Sequence, residues 1–332
     1  MGLELYLDLL SQPCRAVYIF ARSNNLPLEF KQVELLKGQQ KTEEFRKVNL
    51  LMTVPALKDG AFTLAESIAI LLYLARKFKT PDHWYPADLQ KRARVDEYLS
   101  WQHTSIRAKA STILLHKMLM PILTGKPVPA EKMQSLTEDL NVVLNQFEEK
   151  FLEDKPFIAG TEVSLADLLA LEELVEPLGV GHDPFEGRPK LTEWRRRVEG
   201  AVGKQLCQEA RQVLLNPSNF SADKIPPEVL EGLKKYLNLY PLPLVFSRRS
   251  PLSEETVPFF TPTLNVLINI GPPKQRTTLP HDPSSHQDGH WGWRTTSRRR
   301  RRCPGEGPQP PPSRARLGPR LPTRGGSGRR RQ

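Results

Sequence analysis

Leu3-Glu4-Leu5-Tyr6-Leu7-Asp8-Leu9-Leu10-Ser11-Gln12-Pro13-Cys14-Arg15-Ala16 is the stretch whose reading decides the fold. Leu3, Leu5 and Leu7 recur with a period of two, which predicts a strand. Ser11-Gln12-Pro13 then reads as a helix start. Ser11 suits an N-cap, and Pro13 is tolerated in the first turn because its missing N–H has no partner there anyway. Ala16, Val17, Phe20 and Ala21 follow at helical spacing, and Asn24-Asn25 ends the helix.

Outward from this β-α start, Leu28 to Leu35 reads as a second strand and Glu43 to Val48 as a short helix. Thr53 to Leu57 and Ala61 to Leu64 flank a Lys58-Asp59-Gly60 turn and read as a hairpin. Ile68, Leu71, Leu72 and Ala75 give the stripe of another helix. This order suits a small α/β domain over 1–80. Thr80 to Pro86 reads as a linker, and every strong signal after it is helical. The spacing predicts one helix from Leu89 to Leu119 that stops near Pro121, and another over Ala130 to Leu152. Ser164 and Asp167 form a capping box opening a third, with Val163 and Leu168 placed as a hydrophobic staple. Pro189 to Val202, Gln205 to Leu215 and a last helix from Pro226-Pro227 to about Leu239 complete an all-α domain over 88–240.

The chain has 332 residues and a formal charge of +11. Residues 247–332 hold 17 Lys and Arg against 5 Asp and Glu, whereas 1–246 hold 31 against 32. The body is therefore nearly neutral, and the basic total does not make it a nucleic-acid binder. The tail carries 14 Pro, 9 Gly and the arginine run Arg298 to Arg302, a composition that predicts disorder. Its arginines suit nucleic acid, a partner or nuclear import, and nothing else in the chain does. The longest apolar run, Ile68 to Ala75, is too short for a membrane span. No secretory leader is read. Cys14, Cys207 and Cys303 have no paired spacing, so neither a disulfide framework nor a metal site is expected, and a reducing, cytoplasmic setting fits.

The N-terminal stretch above resembles that of the theta-class glutathione S-transferases. So do Val54-Pro55-Ala56-Leu57-Lys58-Asp59-Gly60, Glu66-Ser67, Arg92-Ala93-Arg94-Val95-Asp96-Glu97-Tyr98, Ser164-Leu165-Ala166-Asp167-Leu168 and Phe185-Glu186-Gly187-Arg188-Pro189-Lys190-Leu191. The resemblance covers about 1–240 and leaves out the tail. It implies a thioredoxin-like, glutathione-binding α/β domain, an all-α domain for the electrophile, a homodimer, and no cofactor beyond glutathione as co-substrate. It also implies that the C-terminal segment folds over the active site.

The chemistry to be explained is attack by the glutathione thiolate on a small hydrophobic electrophile. A free thiol has a pKa of about 8.5, so a hydroxyl aimed at the sulfur and a helix N-terminus both favour the reactive form. The resemblance assigns this catalytic role to Ser11; its local sequence alone reads as an ordinary cap. Cys14 reads as a small packed residue, since the thiol of a thiol-transfer pair would be needed where Ser11 stands. The resemblance makes the Val54–Pro55 bond cis and gives the Val54 backbone to the cysteinyl part of glutathione. It gives Glu66 the γ-glutamyl ammonium and Ser67 the carboxylate, beside the free N–H groups of a helix start. Thr104 and Arg107 would line the cleft, Arg107 holding a carboxylate or a departing anion; without the family, Arg107 reads as part of a solvated helix face.

Two positions depart from the pattern. Gln40 stands where relatives commonly carry a histidine, and Thr53 where they carry a basic residue. By position, Gln40, Lys41 and Thr53 face the glycine end of glutathione. Loss of a charge-assisted bond, worth about 1.5–3 kcal/mol, predicts weakened binding, with Lys41 or Lys37 as the compensating cation. Leu50 also replaces a usual proline. Two functions thus remain open on the sequence: a glutathione transferase, or a non-catalytic scaffold of the same fold whose basic tail recruits nucleic acid or a partner.

Overall fold

The computed structural model describes residues 2–220, 223 and 225–232. The expected tail over 247–332, Cys303, and the last helix beyond 232 lie outside the described residues. A four-stranded sheet with order β2-β1-β3-β4 forms the first domain. Its strands are β1 (Leu3–Leu7), β2 (Leu28–Gln32), β3 (Ala56–Asp59) and β4 (Phe62–Ala65). β1 and β2 run parallel, joined through α1 (Gln12–Ser23), and β3 runs antiparallel to β1. Helices α2 (Glu43–Arg46) and α3 (Ser67–Lys77) complete the domain. The alternation of Leu3, Leu5 and Leu7 appears directly, because all three are buried while Glu4 and Tyr6 are half-buried.

Two strands are shorter than their sequence suggests. The second stops at Gln32 because the chain turns into short 3-10 segments over Leu35–Lys37 and Gln39–Lys41. The third starts only at Ala56: the Asn49 side chain takes the Thr53 carbonyl at 2.8 Å, which removes it from the ladder.

The second domain is helical: α4 (Leu89–Trp101), α5 (Ile106–Thr124), α6 (Ala130–Gln146), α7 (Leu165–Leu174), α8 (Pro189–Val202) and α9 (Lys204–Arg211). The single helix expected over Leu89 to Leu119 is two, interrupted at 102–105, where Ser105 leaves helical geometry at φ −110° and ψ −101°. Pro121 does not stop α5; it lies inside the last turn, and left-handed Gly125 ends the helix. A π-turn over Phe147–Leu152 extends α6 to the expected end. The last helix begins as read, over 227–232. Among the described residues no helix is long and apolar enough to cross a membrane.

One apolar core runs through both domains, from Leu5, Phe20 and Leu57 to Tyr98, Phe147 and Trp194. Phe20 meets Trp84 edge-on at 5.2 Å between ring centres, tying the first domain to the segment that leads into the second. Asp167 anchors the helical domain. The capping box with Ser164 forms, and the same carboxylate accepts from Ile158 N at 2.9 Å and from the indole of Trp194 at 3.0 Å. Burial pushes this carboxyl above its usual range, and four donors oppose that shift. Asp167→Ala would leave several buried donors unpaired. We expect a loss of about 2–4 kcal/mol in urea unfolding, with an unchanged slope; a loss under about 0.5 kcal/mol would remove Asp167 from this role.

Candidate active site

Ser11 stands at the exit of β1, and Asp8 builds its turn. Asp8 Oδ1 accepts from Leu10 N at 2.9 Å, Oδ2 accepts from Leu35 N at 2.9 Å, and its carbonyl accepts from Ser11 N at 3.0 Å. Ser11 occupies the N-cap position of α1 but makes no capping bond through its side chain. The cap reading is corrected in that respect. Pro13 takes the position that would present one of the two candidate N–H donors, and it has none. The Ser11 hydroxyl lies instead beside the Cys14 thiol, which burial pushes up to about 12 while Ser11 works in the opposite direction. Cys14 is therefore an inert packed thiol, as read. Ser11 itself is fully buried.

Strand register gathers the other residues around this point. Ala56 pairs with Tyr6 on one side and Ala65 on the other. Val54, two residues before Ala56, and Glu66, one after Ala65, thus leave the sheet at the end where β1 runs on to Ser11. The Val54–Pro55 bond is cis, as the resemblance implies. Glu66 is the N-cap of α3 with φ at +69°, a left-handed conformation that costs a non-glycine residue of order 1 kcal/mol and is concentrated at functional sites. Its side chain is exposed and Ser67 behind it is buried, so an exposed carboxylate sits over a helix N-terminus.

The loop that carries Gln40 and Lys41 runs past the same turn, tied to it by Leu35 N and Asp8. Gln40 is buried there, and burial pulls the Lys41 amine down to about 8. Thr53 Oγ1 and carbonyl both accept from Asn49, at 3.2 and 2.8 Å. Leu50 and Leu51 are exposed at the loop tip. The segment over 225–232 approaches this loop: a Cβ placed on Gly38 would meet Val229 Cγ2 at 3.1 Å. Val229 also packs on Leu114, Leu115, Met118, Leu119 and Leu214, so the segment bridges the loop and α5.

The far wall comes from the break between α4 and α5. Arg107 is buried, not part of a solvated face. It lies one turn before Ser111 on α5, and Ser111 Oγ accepts from Gln12 Nε2 at 2.8 Å, next to Ser11. Burial, and after it the charge of Arg107, pull the pKa of His103 down, while Glu66 works in the opposite direction. Thr104 is exposed in the break, and its side chain makes no hydrogen bond among the described residues. The structure therefore brings Ser11, Val54, Glu66 and Ser67 to one end of the sheet, with Gln40, Lys41 and Thr53 on the bordering loops; Thr104 and Arg107 lie in and just after the break between α4 and α5.

Sequence reasoning missed what lies beneath. Fully buried Arg15 donates Nη1 to the carbonyls of Leu9 and Leu10 at 3.0 and 2.9 Å, just before Ser11. Its other nitrogens bind Glu172 Oε2 at 2.8 Å and Glu176 Oε2 at 2.7 Å. Arg211 on α9 takes the second Glu172 oxygen at 2.7 Å. The available signal was an arginine inside an apolar helix and three acids, Glu172, Glu173 and Glu176, in a stretch otherwise apolar. Among the described residues no group of three or more His, Cys, Asp or Glu side chains is placed to hold a metal ion.

Residues 5–82 match the family described as "Glutathione S-transferase, N-terminal domain", and 109–201 match its C-terminal domain. Glutathione S-transferase theta-1 of Gallus gallus is 55% identical over 256 residues, which are 71% of this chain and 98% of that protein. Theta-1 of Homo sapiens is 57% identical over 220 residues, 66% of this chain and 92% of that protein. Among solved structures, human T1-1 in its apo form superposes with a TM-score of 0.67 at 53% identity, covering 72% of this chain and 99% of that one. The human theta-class transferase in complex with the glutathione conjugate of 1-menaphthyl sulfate gives 0.67 at 49% identity, covering 73% and 100%.

Proposed function

Since this chain belongs to the glutathione S-transferase family, with its theta-class members as near relatives, and conjugates glutathione, we propose that Ser11 stabilises the glutathione thiolate. The observation that carries this is a buried hydroxyl at a helix N-terminus, not spent on capping, at the end of the sheet that also carries Val54, Glu66 and Ser67. Glutathione would lie along that end. Its γ-glutamyl ammonium faces Glu66, its γ-glutamyl carboxylate faces Ser67 and the α3 N–H groups, and its cysteinyl backbone pairs with Val54. The Ser11 O–H donates to the sulfur, which lowers the thiol pKa and leaves its proton to solvent. The thiolate then attacks a small hydrophobic electrophile. The S–C bond forms as the leaving group departs with its electron pair, and no redox cofactor is needed. The chain acts as a homodimer in the cytoplasm. The scaffold reading rests on the tail over 247–332, which lies outside the described residues.

The glycine carboxylate is the weak point. Thr53 offers no cation, and Lys41, with its amine near 8, carries only part of its charge on the alkaline side of neutrality. Thr53→Lys is therefore expected to tighten glutathione about tenfold by calorimetric titration, the value of one charge-assisted bond. An unchanged Kd would move the glycine end elsewhere. The absence of any binding by the unmodified protein at several millimolar glutathione would overturn the glutathione-site assignment itself.

A further inference from the structure

Arg107, which the transferase reading sets at the electrophile site, has an anion behind it. Its Nε lies 3.7 Å from Glu173 Oε1, inside ion-pair range and outside hydrogen-bond range. Arg107 Nε and both Glu173 oxygens are buried without a hydrogen-bond partner. The nearest amide, Gln12, gives one N–H to Ser111 at 2.8 Å, and its side chain also favours the ionised form of Glu173. The two acids flanking Glu173 behave otherwise. Glu172 is bound by Arg15 and Arg211, and Glu176 by Arg15. Glu173 alone of these three has no arginine within hydrogen-bond range, and Arg107 is the guanidinium it faces.

We propose that Glu173 decides whether the Arg107 guanidinium serves the cleft: as a neutral carboxylic acid it leaves Arg107 to an anionic group on the electrophile, and as a carboxylate it takes the guanidinium for itself. This rests on the transferase reading above.

The surroundings set the direction. α1 contributes Arg15 and Gln12, α5 contributes Arg107, and α4 contributes the Tyr98 hydroxyl, itself buried and unpaired. Glu172 adjoins on α7, and Glu176 follows in the next turn. Arg107, Arg15 and Gln12 favour the ionised acid. Burial, the largest influence, and the like charge of Glu176 oppose it, and the carboxyl is pushed up to about 7. Below that pH the acid is neutral and Arg107 faces the cleft. Above it Glu173 ionises, and the preference for an anionic electrophile falls.

The test compares 4-(bromomethyl)benzoate with its methyl ester, using the full chain and saturating glutathione between about pH 6 and 8.5. Both carry the same reacting carbon and leaving group, so thiolate formation cancels in the ratio of their kcat/KM values. For the unmodified protein that ratio is expected to fall about tenfold across the range, centred near neutrality and expressed in KM. In Glu173→Gln it is expected to stay flat at its acid-side value. A flat ratio in the unmodified protein, or an undiminished slope in Glu173→Gln, would overturn the proposal. The unmodified profile is decisive even where the variant folds poorly. Failure to conjugate the neutral ester at any pH would instead overturn the transferase reading, and the gate with it.

Discussion

Ser11→Ala is expected to lower kcat/KM for conjugation of a neutral electrophile by about 10²–10³-fold at pH 6.5, with the KM for glutathione changing little. The size is that of removing one preorganised donor from the atom that carries reacting charge in a water-poor site. Ser11 is fully buried, so water is poorly placed to replace its hydroxyl. On the proposed function the affinity for glutathione rests on Val54, Glu66 and Ser67, which the substitution does not touch. A structural role makes a different prediction. An N-cap replaced by alanine costs about 1 kcal/mol of stability, but the Ser11 side chain makes no capping bond. The unfolding midpoint of the variant should therefore stay close to that of the parent. A rate loss below about threefold, or one that tracks lost stability, would return Ser11 to the role of a plain helix start.

Arg15→Met should be the most destabilising single substitution among the site's supports. Arg15 is fully buried and binds two carboxylates and two backbone carbonyls. Glu172 would keep Arg211, but Glu176 would lose its counter-ion in the core. Breaking a buried pair in this way costs about 3–5 kcal/mol, because the remaining charge is uncompensated. Adding Glu176→Gln to Arg15→Met should recover part of that loss, a coupling that urea unfolding of the single and double variants reads directly. A loss below about 1 kcal/mol for Arg15→Met would show that the pair is already solvated. Because the same guanidinium holds the carbonyls of Leu9 and Leu10, the folded fraction of Arg15→Met should also conjugate more slowly per molecule.

The fold was legible where a local pattern had a single reading. Alternating leucines marked β1, the Ser164–Asp167 box marked the start of α7, and Pro189 to Val202 was recovered with its bounds. The errors fell where distant contacts override local pattern. Helical periodicity continues through 102–105, and only tertiary packing breaks it. The start of β3 is set by the Asn49 side chain, which no period of two reveals. At the site, the residues at the end of the sheet were accessible through resemblance, since their motifs are contiguous. The support was not. Arg15 and Glu176 meet across 161 positions of chain, and Glu173 finds Arg107 from another helix. A charged residue in an apolar helix signals a buried partner, but the sequence does not say which one.

The central claim is that Ser11 holds the bound thiol as thiolate, and ultraviolet difference titration of glutathione on the full chain measures that directly. Thiolate absorbance of the complex should rise with a midpoint at least one unit below the free thiol value of about 8.5, and in Ser11→Ala the midpoint should return toward that value. A complex that binds glutathione with the same thiol pKa in both proteins would contradict the account.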